Sequence, residues 1–149
     1  GAETVQLFDS WAGIHSEPEF RRWVIEPAKA IVKRIRAKHQ DIPIIGFPRG
    51  GGMMLETYAA ETGVTALGLD TTVPPEWAAK VLQPKLPVQG NLDPLALIAG
   101  GDVLDRMTDA VLNGLGHGRF IFNLGHGIDK STPPDHVERL VDRIRAFRG

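Results

Sequence analysis

Short apolar runs alternate along the chain with segments in which apolar residues recur at the spacing of a helix. The strand-like runs cover residues 4–8, 42–47, 66–69, 87–89 and 120–123. Strands that alternate with helices assemble into parallel sheets. The pattern therefore predicts an α/β fold with about five β/α units.

The helix after the first strand is predicted from apolar residues that share one face. They are Phe20, Trp23, Val24, Ile31 and Ile35. Pro27 lies inside this segment and is expected to kink or interrupt it, because proline has no backbone N–H to donate. Gly63 is expected to end the next helix.

The last helix has the clearest start signal. Ser131 and Thr132 are predicted to cap it, and the two prolines that follow suit its first turn. Its arginines are interpreted as a solvated face that also suits the negative end of the helix dipole. They are Arg139, Arg143, Arg145 and Arg148.

Five strands are too few for a closed (β/α)8 barrel, which has eight strands and about 250 residues. A barrel interpretation makes the chain a portion of a TIM barrel with two unpaired sheet edges, which something else must cover. The sequence begins at Gly1, without methionine, and enters an apolar run almost at once. This start indicates that the sequence begins in the middle of a longer protein.

The composition excludes several classes of protein. Lys plus Arg (17) nearly balance Asp plus Glu (18), and the formal net charge of −1 predicts no nucleic-acid surface. The chain has no cysteine, which excludes disulfides, thiolate metal sites and thiol nucleophiles. No apolar run approaches the ~20 residues of a membrane span, and no signal-peptide pattern is present. A cytoplasmic protein with neither nucleic acid nor membrane as partner is expected.

Every predicted strand is followed by glycine or by a short polar loop, and in parallel α/β folds ligands bind at the carboxyl ends of strands. In one such loop, Arg49 precedes three glycines. Glycine lets backbone N–H groups approach an anion, and arginine supplies a bidentate donor. Three glycines also make an ordinary tight turn, and both interpretations stay open.

A histidine and three aspartates also follow predicted strands. His126 lies between two glycines, where it could donate a proton or bind a carboxylate, or could be hydrogen-bonded into its loop for structural reasons. Asp9 and Asp70 could act on a ligand or cap a turn, and Asp93, before a proline, is favoured as a helix start. No paired-histidine motif or dense carboxylate cluster supports a metal site.

Five motifs in chain order resemble those of the C-terminal part of the uroporphyrinogen decarboxylase family. They are LFDSWAG (7–13), FPRGGG (47–52), ALGLD (66–70), VQGNLDP (88–94) and FNLGHGI (122–128). Their shared order and spacing are far more specific than any single motif. The resemblance makes residues 1–149 the C-terminal part of a single barrel domain whose N-terminal part is absent from this chain.

The resemblance implies a TIM (β/α)8 barrel and a reaction in porphyrin biosynthesis, which serves heme and chlorophyll. Uroporphyrinogen III is converted to coproporphyrinogen III by loss of carboxyl groups from four acetate side chains. No metal or organic cofactor is implied, because a protonated pyrrole can itself accept the electrons. The full-length enzyme is expected to be a homodimer.

The motifs also assign roles to individual residues. Ser10 matches a family position that hydrogen-bonds a substrate carboxylate, and Phe8 matches a residue that lines the cleft beside the macrocycle. His126 matches the cleft histidine, and we assign to it substrate binding and proton relay. Arg49 stands where members commonly have lysine, which keeps the charge but changes the donor geometry of this substrate-binding candidate.

Other functional groups of the family have no counterpart in this sequence. They are the arginines of an RQAGRY-like motif, the aspartate that gathers the pyrrole N–H groups, and a cleft tyrosine. The chain alone is therefore expected not to decarboxylate uroporphyrinogen. Its barrel edges are expected to be covered by the N-terminal part, a separate chain or a second copy.

Two alternatives stay open. A corrinoid-linked or thiol methyltransferase of the same superfamily would activate a thiol on zinc through His and Cys ligands, which the absence of cysteine disfavours. The other alternative is a non-catalytic barrel fragment that only binds a partner or ligand.

Overall fold

The computed structural model describes residues 1–148, which belong to two compact units, Gly1–Gly68 and Leu69–Gly149. Strands and helices alternate in both units, and each strand pairing within a unit is parallel. The predicted α/β fold with five β/α units is confirmed. This repeat is the one from which a TIM barrel is built.

The first unit contains three strands, β1 (Val5–Asp9), β2 (Ile44–Pro48) and β3 (Ala66–Gly68). β2 pairs with β1 on one side and with β3 on the other, and all five of its residues are buried. The register places Asp9 opposite Pro48. The loops that follow β1 and β2 therefore leave the sheet at the same edge.

The connection from β1 to β2 is mostly helical. It contains a 3-10 turn (Ala12–Ile14), α1 (Glu17–Phe20), a π-helical turn (Arg21–Ile25) and α2 (Glu26–Arg36). Pro27 has no N–H for the carbonyl four residues earlier, and the wider π turn just before it tolerates this loss. The predicted irregularity at Pro27 is thus a π turn, and helical structure continues through it.

The buried face of this connection differs from the predicted one. Phe20 and Val24 are buried as expected, but Trp23 is 54% exposed and Ile31 is 44% exposed. The π turn inserts about one extra residue and so rotates the later part of the helix relative to a uniform period. The other buried residues of the connection include Ile25, Ala28 and Val32.

The helix after β2 ends where the sequence predicts. α3 spans Met54–Thr62, and Gly63 follows it with φ of +80°. Glycine adopts this left-handed conformation without the steric cost of a Cβ atom, and it is a common helix terminator for that reason.

The second unit contains two strands and four helices within the residues that the structure describes. β4 (Val88–Leu92) pairs with β5 (Phe120–Leu124). The prediction that the fourth strand ends at Gln89 is wrong, because the strand continues, fully buried, to Leu92. Glycine and asparagine are rare in strands, so the residue pattern did not indicate that the strand continues through Gly90 and Asn91. The helices are α4 (Pro75–Val81), α5 (Pro94–Ala99), α6 (Gly101–Leu115) and α7 (Pro134–Ala146).

The predicted cap of α7 is wrong. The N-cap residue is Pro133, and Ser131 instead donates from its N–H and its hydroxyl to Oδ1 of Asp129, at 2.8 and 2.6 Å. These hydrogen bonds lower the pKa of Asp129. Serine commonly makes such local bonds in turns, and here the bonds hold it in the turn before the helix.

Two arginines of α7 connect it to α6. Arg139 donates two hydrogen bonds to Asp105, at 2.8 and 2.7 Å, and Arg143 donates two to Asp109, at 2.7 and 2.5 Å. Hydrogen bonds from the arginines lower the pKa of both carboxyls. Both side chains remain substantially exposed, as the predicted solvated face requires, and they also connect α7 to α6.

Candidate functional site

The loops that follow β1 and β2 are joined through their backbones. The Arg49 N–H donates to the Asp9 carbonyl at 3.0 Å, and the Gly13 N–H donates to the Arg49 carbonyl at 2.9 Å. A Cβ atom on Gly13 would overlap the Gly50 backbone. Only glycine therefore allows this approach, and the two loops form one continuous surface at the carboxyl ends of their strands.

Three of the candidates named from the sequence, Ser10, Phe8 and Asp9, lie on the β1 side of this surface. Ser10 is exposed in the turn after β1, and Phe8 is 71% exposed at the end of the strand. The Phe8 ring meets Phe47, its register partner, edge to face at 6.0 Å between centroids. Asp9 accepts a hydrogen bond from the Trp11 N–H at 3.2 Å. This is the bond expected if the Asp9 carboxylate caps the turn.

Arg49 presents an uncompensated positive charge at this edge. Its side chain is half-buried and makes no hydrogen bond or ion pair with the part of the chain that the structure describes. The glycines after it serve the turn, since Gly50 and Gly52 have φ of +75° and +49°. The ordinary-turn interpretation thus accounts for these glycines, while the guanidinium is available to an anion.

Tyr58 belongs to the surroundings of this edge and was not singled out as a site residue. Its side chain is 3% exposed and lines a cavity of about 120 Å³ together with Leu7, Phe8 and Asp9. Burial, and secondly the negative charge of Asp9, raises the pKa of Tyr58 to about 12. The ring packs on Gly46, whose absent side chain leaves the space for it.

His126 lies in the second unit, at the carboxyl end of β5. The imidazole is exposed and has no hydrogen-bond partner within residues 1–148, so the structural alternative of a histidine bonded into its loop is not what the structure shows. The residue before it is fixed: Gly125 is buried, and its N–H donates to the Leu92 carbonyl at 2.8 Å. An exposed imidazole thus follows a buried, hydrogen-bonded residue.

The turn after β3 forms part of that base. Asp70 is 3% exposed, and its Oδ1 accepts hydrogen bonds from the Thr72 N–H at 2.8 Å and hydroxyl at 2.6 Å. A Cβ atom on Gly125 would lie 2.6 Å from the Thr71 nitrogen. The Gly125 backbone therefore packs directly on this turn. Asp70 shapes the turn, which is the capping alternative for this residue.

Asn91 is the second functional candidate that the sequence did not single out. It is 5% exposed within β4, and its Nδ2 donates to the carbonyls of Asp70 at 2.9 Å and Val73 at 2.7 Å. The sequence signal that could have identified Asn91 is the amide side chain within VQGNLDP. Because the predicted strand ends at Gln89, the prediction places this amide in a loop and not in a buried strand.

Asp93 and His117 take structural positions, as expected. Asp93 is the N-cap of α5, and its Oδ1 accepts from the Leu95 N–H at 2.9 Å. His117 lies in the turn before β5, at the opposite end of that strand from His126, and its ring is 5.8 Å from that of Phe147.

Each unit thus presents polar groups at the carboxyl ends of its strands. The first unit offers a hydroxyl, a guanidinium and an aromatic face, and the second offers an imidazole. The convergence of Ser10 and His126 on one cleft stays a prediction. Within residues 1–148, no three His, Asp or Glu side chains are grouped as metal ligands would be. Nor does any helix in this range combine the length and apolarity needed to cross a membrane.

Comparison with known proteins identifies the family. The family model for uroporphyrinogen decarboxylase (URO-D) matches residues 1–147. Curated relatives named uroporphyrinogen decarboxylase include those of Rhodospirillum rubrum, 53% identical over 148 residues, and Erythrobacter litoralis, 56% identical over 148 residues; each match covers 99% of this chain. The relative from Sphingopyxis alaskensis is 56% identical over 145 residues, or 97% of the chain. The chain spans 42%, 43% and 42% of the length of these three relatives. It belongs to the uroporphyrinogen decarboxylase family.

Proposed function

We propose that this chain carries part of the active site of a uroporphyrinogen decarboxylase, which converts uroporphyrinogen III to coproporphyrinogen III. The family match over residues 1–147 supports the reaction. The observation that carries the residue assignment is that Arg49 and His126 each present a polar head without a partner in the described residues, at the carboxyl end of a strand. Such groups suit a substrate with many carboxylates.

The reaction needs little from the protein besides binding and proton transfer. Protonation of a pyrrole carbon makes the ring cationic, and the electrons of the breaking bond between the acetate methylene and its carboxyl carbon flow into that ring. Carbon dioxide leaves, the methylene carbon takes up a proton to become methyl, and loss of the ring proton restores the pyrrole. The substrate ring thus has the role that an organic cofactor has in other decarboxylases.

The proposed roles follow from side-chain chemistry. Ser10 and Arg49 bind substrate carboxylates, and the exposed face of Phe8 packs against the macrocycle. His126 binds substrate and relays protons, because imidazole both accepts and donates a proton near neutral pH. No protein-bound metal or organic cofactor takes part in the proposed mechanism.

The wider setting is also proposed. Residues 1–149 form part of one barrel domain, the complete enzyme is a homodimer, and it works in the cytoplasm without nucleic acid or membrane as partner. The remaining groups of the active site come from the part of the family enzyme that this chain does not match. The chain by itself should therefore show no turnover.

The proposal is tested in a chimeric enzyme, defined as the Rhodospirillum rubrum relative in which this chain replaces the 148 residues that it matches. The chimeric enzyme should form coproporphyrinogen, measured by chromatography after oxidation to the porphyrin. His126→Ala should lower kcat about 10²-fold, the usual contribution of a proton-transfer residue. His39→Ala is the matched control, since His39 is also exposed but follows α2. An inactive chimeric enzyme that is correctly folded, or equal rates for the two variants, would refute the proposal.

A further inference from the structure

A buried amide connects three elements of the second unit beneath the loop that carries His126. Asn91 donates both of its Nδ2 hydrogens to backbone carbonyls of the turn after β3, those of Asp70 and Val73. That turn supports Gly125, because the Gly125 Cα hydrogen points at the Thr71 nitrogen and the Asp70 carbonyl carbon. The contacts form a continuous path from Asn91 to the residue before His126.

The chemistry of Asn91 is unusual for a residue that only fills space. Its Oδ1 is buried and has no hydrogen-bond partner within the described residues. An orphan acceptor in a protein interior is unfavourable, so an apolar residue would avoid a cost that asparagine incurs. What asparagine provides in return is two donors aimed at two carbonyls, which only a side-chain amide of this length supplies at this place.

We infer that Asn91 is a positioning residue for the decarboxylation: it fixes the turn after β3 and, through Gly125, the placement of His126. The inference rests on the proposed function for the role of His126. The inference goes beyond the proposed function because it assigns part of the decarboxylation rate to a residue that does not touch the substrate. A displacement of about 1 Å at a catalytic group can reduce a rate by about 10²-fold, so a firm base for the imidazole has a measurable effect.

The second unit contains a matched control residue. Gln83 is also a buried amide, 8% exposed, and its Nε2 donates to the carbonyls of Leu115 at 2.9 Å and Arg119 at 3.4 Å. Those carbonyls precede β5, so Gln83 acts at the end of the strand opposite to His126. Gln83→Ala removes the same kind of double hydrogen bond without touching the base of the histidine loop.

The first test compares turnover in the chimeric enzyme. Asn91→Ala should lower kcat about tenfold or more, whereas Gln83→Ala should lower it less than about threefold. In a His126→Ala background, Asn91→Ala should change kcat by less than about twofold, because no imidazole remains to be misplaced. Equal effects of Asn91→Ala and Gln83→Ala, or an equal Asn91→Ala effect with and without His126, would overturn the inference.

The second test does not depend on turnover and separates this inference from the proposed function. Amide hydrogen exchange of the 149-residue chain, followed by NMR, reports on the hydrogen bond from the Gly125 N–H to Leu92. Asn91→Ala should accelerate exchange at Gly125 about tenfold, while Gln83→Ala should leave it unchanged. If His126→Ala proves harmless in the chimeric enzyme, the proposed function of His126 fails, and this exchange measurement alone decides whether Asn91 holds the loop. Unchanged exchange at Gly125 in Asn91→Ala would refute the coupling.

Discussion

The two glycines that flank His126 should differ sharply in their tolerance of a methyl group. Gly125 is buried, and a Cβ atom there would lie 2.6 Å from the Thr71 nitrogen, 2.7 Å from Thr71 Cγ2 and 3.0 Å from the Asp70 carbonyl carbon. Gly127 is exposed, and a Cβ atom there would meet nothing within 4 Å. The two substitutions therefore add the same group on either side of the same histidine.

The expected magnitude follows from these distances. Ordinary contact for a Cβ atom begins near 3.4 Å, so Gly125→Ala requires the loop and the turn to separate by about 0.8 Å. Two of the three obstructing atoms, the Thr71 nitrogen and the Asp70 carbonyl carbon, are backbone and cannot rotate away as the end of a side chain can. Overpacking of this kind costs about 1–3 kcal/mol of folding stability. The same movement shifts the base of His126 by enough to lower kcat/KM about 10²-fold.

Urea unfolding of the chain, followed by circular dichroism, measures the first effect, and turnover by the chimeric enzyme measures the second. Gly127→Ala should stay within about 0.5 kcal/mol of the parent in stability, as surface substitutions do. Its kcat/KM should also stay close to that of the parent. If Gly125→Ala and Gly127→Ala behave alike in both assays, the claim that the turn after β3 supports His126 is wrong.

Three further predictions concern the first unit. The pKa of Tyr58 is about 12 in the folded chain against 10.0 for a free phenol. The neutral phenol therefore contributes its whole share of the free energy of unfolding below pH 10, and the free energy of unfolding falls by roughly 2–3 kcal/mol as the pH rises through 12. Tyr58 is the only tyrosine, so phenolate absorbance follows it alone; a midpoint near pH 10 in the folded chain, or the same loss of stability in Tyr58→Phe, would contradict this. Gly46→Ala places a Cβ atom 2.5 Å from Cε1 of Tyr58 and should cost about 1–3 kcal/mol in urea unfolding, so an unchanged midpoint would argue against the packing described. In the chimeric enzyme, Arg49→Lys should keep KM within about threefold, whereas Arg49→Gln should raise it about tenfold because the charge is lost; equal KM values would exclude a carboxylate contact at Arg49.

The elements that the sequence predicted well are those with a local cause. Gly63 ends α3 because a left-handed residue is needed there, and Asp93 starts α5 because its carboxylate reaches the Leu95 N–H. Both causes lie within a few residues of the signal. The cap of α7 failed because Ser131 had a nearer partner in Asp129, a competition between two local bonds that residue preference does not resolve.

The face of the first helical connection failed for a different reason. A uniform helical period placed Trp23 and Ile31 inside, but one π turn changed the phase of the helix, and both residues are exposed. A phase change of this kind depends on how the backbone accommodates Pro27, and the spacing of apolar residues does not indicate it.

The candidate site also contains residues that the local sequence identifies and residues that only the folded structure identifies. Ser10, Arg49 and His126 could be named from the sequence because they are polar residues in loops directly after strands, where the ligands of parallel α/β folds bind. Asn91 could not, because its importance depends on two carbonyls 18 and 21 residues earlier in the chain that only the folded structure brings to its amide. A residue that meets the substrate can therefore be identified by its own chemistry and position, whereas a residue that holds it in place is identified only by its contacts. For this chain, substitutions chosen from side-chain chemistry alone would test binding and proton transfer and would leave the inferred support of His126 untested.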